Sequence, residues 1–196
     1  MKRILILLVL VSGCKKEVYY YPSKNKFTEY NPTELNISSL NFRQIVDTIR
    51  YGLSKKNPFY FSIEDVYKVY NFMPYVKGNG LYKEKNGILI RNDSIGKILL
   101  KHKVESSSEF LKMNYENNGK QIGFPDSYNR VYIDFVLNIS DTSEKLKSSL
   151  IKFFKVYKKT RIKYKDSINL NIILEYPMSQ VYGQPNPPIP FEIEYE

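Results

Sequence analysis

Hydrophobic and polar residues follow a helical repeat in two parts of the chain. In residues 41–55, apolar side chains recur every three or four positions and charged side chains occupy the opposite side, which predicts a helix over 41–55. Further along, residues 141–144 read Asp-Thr-Ser-Glu, a capping-box pattern that opens a second apolar stripe. This pattern predicts a helix over 142–159, whose apolar side is formed by Leu146, Leu150, Phe153, Phe154 and Tyr157.

Two other segments alternate between apolar and polar residues, as strands with one buried face do. These segments, 131–139 and 168–175, flank the second predicted helix. They therefore predict a β-α-β unit, with a right-handed crossover if the two strands are parallel neighbours. The last residues, 191–196, alternate as well, which favours an edge strand there over a disordered tail.

Three shorter signals complete the predicted elements. Ser62-Ile63-Glu64-Asp65 resembles a capping box and predicts a short helix that ends at Pro74. Asn86-Gly87 is typical of a tight hairpin turn between residues 81–85 and 88–91, and Asn117-Asn118-Gly119 marks another possible hairpin. Together the elements predict an α+β fold, with a mixed or antiparallel sheet covered by helices on one face and a C-terminal β-α-β unit.

The amino terminus has the pattern of an export signal. Basic residues at positions 2 and 3 precede an apolar run over 4–11. At about 1.5 Å per residue this run is far too short to span the roughly 30 Å hydrocarbon core of a bilayer. The run leads into Val11-Ser12-Gly13-Cys14, so residues 1–14 resemble a bacterial lipoprotein signal peptide with its lipobox. The resemblance implies cleavage before Cys14 and acylation of Cys14; an ordinary signal peptide cut near Gly13 is the alternative.

The predicted organisation has three parts. Residues 1–13 are the signal peptide, 14–33 the lipidated cysteine and a tether, and 34–196 a single α+β domain whose folded structure begins near Leu35. A flexible tether of about 20 residues would span roughly 25 Å. Tyr19-Tyr20-Tyr21 is atypical of a linker and leaves open that part of this segment packs on the domain.

The residues after Cys14 also bear on location. In the lipoprotein family an Asp after the cysteine retains the protein in the inner membrane, and Lys15 stands there instead. The acidic run that sends some Bacteroidetes-type lipoproteins to the cell surface is replaced by Lys15-Lys16. The resemblance therefore implies an outer-membrane lipoprotein whose domain faces the periplasm.

Charge and composition narrow the choice of partners. The chain has a formal charge of +10, and removal of the signal peptide leaves +8. Such a charge often indicates nucleic-acid binding, but an exported protein meets little DNA or RNA, so no nucleic-acid partner is expected. The sequence lacks Ala and Trp and is rich in Lys, Asn, Ile and Tyr, as in proteins from AT-rich genomes.

Asp93-Ser94-Ile95 and Asp166-Ser167-Ile168 resemble the O-glycosylation motif of Bacteroidetes-type exported proteins, which implies modification at Ser94 and Ser167.

Few residues suggest catalysis. His102 is the only histidine and Cys14 the only cysteine, so a metal site with two or more His or Cys ligands is excluded, and no cofactor is predicted. Residues 77–80 read Lys-Gly-Asn-Gly but lack the strand-to-helix context of a phosphate loop. Asp126 and Asp134 could form the paired carboxylates of a hydrolase, which stays an alternative.

Positive charge is concentrated on the second predicted helix. Nine basic residues and no acid lie between Lys145 and Lys165. Lys152, Lys155, Lys158 and Lys159 could form a patch for an acidic partner or for anionic headgroups, or simply a solvated face. The aromatic segments 59–61 and 70–75 could stack on a ligand, although core packing is the more common use.

These features predict a lipid-anchored envelope lipoprotein that is not an enzyme. Its domain would be a binding or assembly module with a protein partner in the envelope, held at the membrane by the lipid anchor on Cys14. An immunity-type inhibitor of a toxin and a carboxylate-dependent hydrolase are the two alternatives.

Overall fold

The fold is α+β, as the sequence predicts. The computed structural model describes residues 16–76, 83–97, 100–163, 165–177 and 180. Within these ranges the chain forms four α-helices and two mixed sheets, one of four strands and one of six. The predicted C-terminal strand at 191–196 and the Lys-Gly-Asn-Gly segment at 77–80 lie outside the described residues.

The four-stranded sheet comes from the first part of the chain. Its strands are β1 (Glu17–Tyr21), β2 (Thr33–Glu34), β3 (Phe59–Asp65) and β4 (Lys68–Phe72), in the order β1-β4-β3-β2. β3 and β4 form an antiparallel hairpin, while β1 is parallel to β4 and β2 is parallel to β3. This sheet is therefore mixed.

The prediction of a helix from Ser62 onward is wrong, because residues 59–65 form the strand β3. Phe59, Phe61 and Ile63 are buried and alternate with more exposed neighbours, as in a strand with one face against a core. That period of two decides the local structure, and the capping-box resemblance of residues 62–65 does not correspond to a helix start.

The tether prediction needs a similar correction. Residues 17–21 form β1, and residues 24–30 form helix α1 (Lys24–Tyr30), so folded structure is already present at Glu17 and does not first appear near Leu35. Tyr21 is buried, and its ring stacks on that of Phe154 at a centroid distance of 4.2 Å. The tyrosine run that was atypical of a linker is the strand itself.

The six-stranded sheet contains the predicted β-α-β unit. Its strands are β5 (Tyr75–Val76), β6 (Gly87–Arg91), β7 (Ser94–Lys97), β8 (Leu100–Lys103), β9 (Tyr132–Val136) and β10 (Asn171–Glu175), in the order β5-β10-β9-β6-β7-β8. The four strands β5, β10, β9 and β6 are parallel, and β7 and β8 continue the sheet antiparallel. β9 and β10 are parallel neighbours, which confirms the strands predicted on either side of the long helix.

Both predicted long helices are confirmed as α2 (Phe42–Ser54) and α4 (Ser143–Lys159). Asn41 and Gln44 cap α2 reciprocally, and the Thr142 hydroxyl accepts a hydrogen bond from the Lys145 amide at the start of α4. The remaining helix, α3 (Ser108–Glu116), packs against α4.

The hairpin predicted at Asn86-Gly87 is wrong. Gly87 opens β6 with an extended backbone, and the turn between β6 and β7 is made by Asn92 and Asp93, with φ of 50° and 57°. Gly87 serves close packing instead, because a Cβ there would lie 2.9 Å from the Tyr132 hydroxyl oxygen. Residues 117–119 form no hairpin either: Asn117 follows α3, and its amide group donates to the carbonyls of Gln121 and Pro125 in a loop.

Helix α4 joins the two sheets through one aromatic core. Phe154 faces the four-stranded sheet, with its ring 5.1 Å from that of Tyr70. Phe153 faces the six-stranded sheet, with its ring 5.7 Å from that of Phe135. The predicted apolar side of this helix is buried at all five positions, Leu146, Leu150, Phe153, Phe154 and Tyr157.

Candidate functional site

The lysine face of α4 is paired with acidic residues of the same chain. Lys152 forms an ion pair with Asp93 at 3.0 Å, and Lys155 forms one with Asp65 at 2.8 Å. Lys158 pairs with Glu17 at 3.2 Å, and its ammonium group lies 4.0 Å from the centre of the Tyr19 ring. Three of the four predicted patch lysines therefore lie against strand ends and turns of the two sheets.

Asp65 shows the effect of this pairing most clearly. The pKa of its carboxyl group is lowered, first by the hydrogen bond from Lys155 and then by the backbone amide of Val66. Lys159, in the last turn of α4, is exposed and has no ion pair with a residue that the structure describes. Beyond the helix, the Lys165 ammonium group donates hydrogen bonds to the backbone carbonyls of Tyr157, Lys158 and Thr160. It therefore supplies hydrogen-bond donors to the carbonyl groups at the C-terminal end of α4.

A separate concavity lies where the parallel strands of the larger sheet begin. Its cavity volume is about 490 Å³. Tyr75, Tyr132 and Asn171 are the first residues of β5, β9 and β10, and all three line it. The described lining is completed by Lys83, Asn86, Arg130, Val131 and Ile173. We call this cavity the strand-start pocket.

The strand-start pocket is basic and partly aromatic. Among its described lining residues are two cations, two amides and two tyrosines, and none is acidic. Asn86 is only 7% exposed, and its side-chain Oδ1 has no hydrogen-bond partner among the residues described. A buried amide oxygen without a partner suits a ligand that brings a hydrogen-bond donor.

Residues behind the pocket fix the segment that carries Asn86. The Lys97 ammonium group donates to the carbonyls of Lys85 at 2.6 Å and Gly87 at 3.0 Å. Burial lowers the pKa of Lys97 to about 8. The Tyr132 hydroxyl donates to the Lys83 carbonyl at 3.4 Å, which connects the first residue of β9 to the same segment.

Asp126 lies beside the pocket and not in its described lining. Its carboxylate binds Lys85 at 2.6 Å and Arg130 at 3.8 Å. The hydrogen bond from Lys85 is the main cause that lowers the pKa of Asp126. Asp126 is therefore an ionised partner for two cations, which does not suit the proton donor of a paired-carboxylate hydrolase. Asp134, the other acid named for that reaction, lies in β9 beside Leu89 of β6 and Ile173 of β10.

The other residues singled out in the sequence are dispersed. Cys14 lies outside the described residues, Ser94 is the first residue of β7, and Ser167 is exposed after α4. His102 belongs to β8. Tyr70 is fully buried in the aromatic core, whereas Tyr75, from the same aromatic segment, lines the strand-start pocket.

Sequence reasoning missed the pocket residues Asn86, Arg130 and Tyr132. No local motif marks them, because the lining comes from four separate stretches of the chain that meet only in the folded sheet. The one available signal was Tyr75, within an aromatic segment considered for ligand stacking.

The described part of the chain offers neither a membrane-spanning helix nor a cluster of metal-binding side chains. No helix there is long and apolar enough to cross a membrane. No group of three or more His, Cys, Asp or Glu side chains in those residues could hold a metal ion. Comparison with protein-family models, curated proteins and solved structures finds no match for this chain.

Proposed function

We propose that this protein is a lipid-anchored lipoprotein of a bacterial envelope whose domain is a non-catalytic binding module for an acidic protein partner. The lipobox resemblance of residues 11–14 supports acylation of Cys14. Lys15 supports the outer membrane as its location, with the domain facing the periplasm. The mature charge of +8 supports a partner of opposite sign, because complementary charge speeds association and disfavours wrong partners.

The strand-start pocket is the proposed binding site, and its composition is the observation that carries the proposal. Tyrosine and arginine are enriched at the energetic centres of protein interfaces, and here Tyr75, Tyr132 and Arg130 line one concavity. Lys83 adds a second cation for a partner carboxylate. Asn86 offers a side-chain oxygen that no described residue pairs with. An acidic loop of a partner protein would match the charges and the hydrogen-bonding group of this surface.

The test is co-purification from detergent-solubilised membranes at low salt. We expect the Lys83→Glu/Arg130→Glu protein to recover the partner at least about tenfold less well than the unaltered protein, since losing two charged contacts removes more than about 1.4 kcal/mol. The matched control is Lys152→Glu/Lys159→Glu, which makes the same change in net charge on the α4 face. Loss of the partner in this control alone would move the binding site to α4. Equal recovery by all three proteins would contradict the pocket as the site.

A further inference from the structure

One end of the four-stranded sheet brings the first residue of β1 beside a hairpin turn. Glu17 of β1 is aligned with Lys68 of β4, which in turn pairs with Asp65 of β3. The Glu17 amide donates to the carbonyl of Tyr67 in the β3–β4 turn at 3.0 Å. The first residue of β1 therefore lies directly beside this turn.

The turn itself presents two large apolar side chains to solvent. Val66 is 72% exposed and Tyr67 is 68% exposed. Apart from Ile122, no large hydrophobic side chain in the described residues is more exposed. Single exposed hydrophobic residues are ordinary, but two adjacent ones at a turn form a small apolar patch, and this patch lies beside the first residue of β1.

Lysines surround this turn. Lys16 contacts Glu64, and Lys68 follows Tyr67 directly. From α4, Lys155 reaches Asp65 and Lys158 reaches Glu17. Each of these three acids neutralises a neighbouring lysine, so the net positive charge here is small. Lysine side chains can still extend past such partners toward anionic headgroups. We call Val66, Tyr67 and the lysines at 16, 68, 155 and 158 the anchor-side end.

The distance to the proposed anchor is short. From Cys14 to Glu17 the chain advances three residues, which reach at most about 11 Å when fully extended. A tether of about 20 residues would have allowed roughly 25 Å. This step rests on the lipid anchor of the proposed function: acyl chains on Cys14 would hold the anchor-side end against the bilayer.

We propose that the anchor-side end docks on the membrane, with Val66 and Tyr67 in the headgroup region and the nearby lysines on anionic lipids. Tyrosine favours the membrane interface, where its ring is in apolar surroundings and its hydroxyl in water. Two side chains bury too little area to bind a bilayer alone. Beside an anchor, however, their binding becomes intramolecular, and a weak contact suffices to orient the domain.

The test uses the absence of Trp and the presence of one Cys in the chain. The mature chain from Cys14, which keeps every described residue, is coupled through its thiol to a maleimide lipid in phosphatidylcholine vesicles with about one-third phosphatidylglycerol. In the Tyr67→Trp protein, we expect the tryptophan fluorescence to be blue-shifted relative to the control. We also expect brominated lipids to quench this fluorescence roughly twofold more strongly than in the control. The control is Tyr51→Trp. Tyr51 is 52% exposed on α2, and a Cβ added at the neighbouring Gly52 would lie 2.5 Å from the ring of Phe59, at the opposite end of β3.

The outcomes separate this inference from the proposed function. Equal emission and quenching in the two proteins would overturn membrane docking, whether or not cells acylate Cys14. A response that persists in pure phosphatidylcholine would contradict the part assigned to the lysines while leaving insertion of the turn in place. Chemical coupling supplies the anchor, so a failure of lipidation in the cell would leave this result unchanged.

Discussion

At the residue scale, tyrosine and phenylalanine side chains fill much of the core. Tyr70 and Tyr115 are fully buried, as are Phe153 and Phe154. Using tyrosine in this way leaves hydroxyl groups in apolar surroundings, and those of Tyr70 and Tyr115 have no hydrogen-bond partner among the described residues. Burial raises the pKa of Tyr115 well above its ordinary value. These buried hydroxyl groups therefore lower the stability of the folded protein instead of raising it.

Tyr115→Phe should stabilise the protein. The substitution removes a buried hydroxyl without a partner and keeps the ring that packs against Tyr157 at a centroid distance of 6.0 Å. We expect the free energy of unfolding, measured by urea denaturation, to rise by about 1 kcal/mol.

Tyr176→Phe is the matched control. The Tyr176 hydroxyl donates to Asp47 at 3.0 Å and accepts a hydrogen bond from Arg50 at 3.3 Å, so its loss should destabilise by about 1 kcal/mol. A Tyr115→Phe protein that is as destabilised as Tyr176→Phe would show that the Tyr115 hydroxyl has a partner after all.

At the scale of elements, α2, α4, β9 and β10 could be predicted, whereas β1 and β3 could not. α2, α4, β9 and β10 each bury one face against the aromatic core, so their periods are visible in the sequence. For β3, four residues that resemble a capping box suggested a helix, although Phe59, Phe61 and Ile63 alternate. β1 was predicted as part of a tether because its stability comes from pairing with β4, about fifty residues away in the chain.

A chain that begins at Leu35 should lose most of its stability. It lacks β1, which covers the edge of β4, and it lacks the Tyr21 ring that stacks on Phe154. Loss of one buried aromatic side chain alone costs about 3 to 5 kcal/mol, and loss of the strand pairing adds to this. Urea denaturation should show an unstable or non-cooperative protein.

A chain that begins at Lys16 provides the comparison, because it keeps both β1 and α1. It should unfold at the same urea concentration as the chain from Cys14. If the chain from Leu35 unfolds at that concentration too, residues 16–34 are a tether and the role assigned to β1 is wrong.

At the scale of the whole molecule, the proposed position of the domain on the membrane rests on how close β1 lies to Cys14 in the chain. The sequence predicted the anchor and the α+β fold, yet the short interval between Cys14 and Glu17 appears only when β1 is seen in its sheet. The strand-start pocket could not be predicted for the same reason, because Lys83, Arg130 and Asn171 are distant in the chain. Both proposals depend on which strand ends the sheets bring together.

The lipid anchor is the claim on which the account of this protein as an envelope lipoprotein depends. Its most direct test is the intact mass of the protein purified from the membranes of its own cells. We predict a mass that exceeds that of the chain from Cys14 by a diacylglyceryl group, with or without a further acyl chain on the new amino terminus. The mass of an unmodified chain, whether it begins at Met1 or near Cys14, would contradict the account.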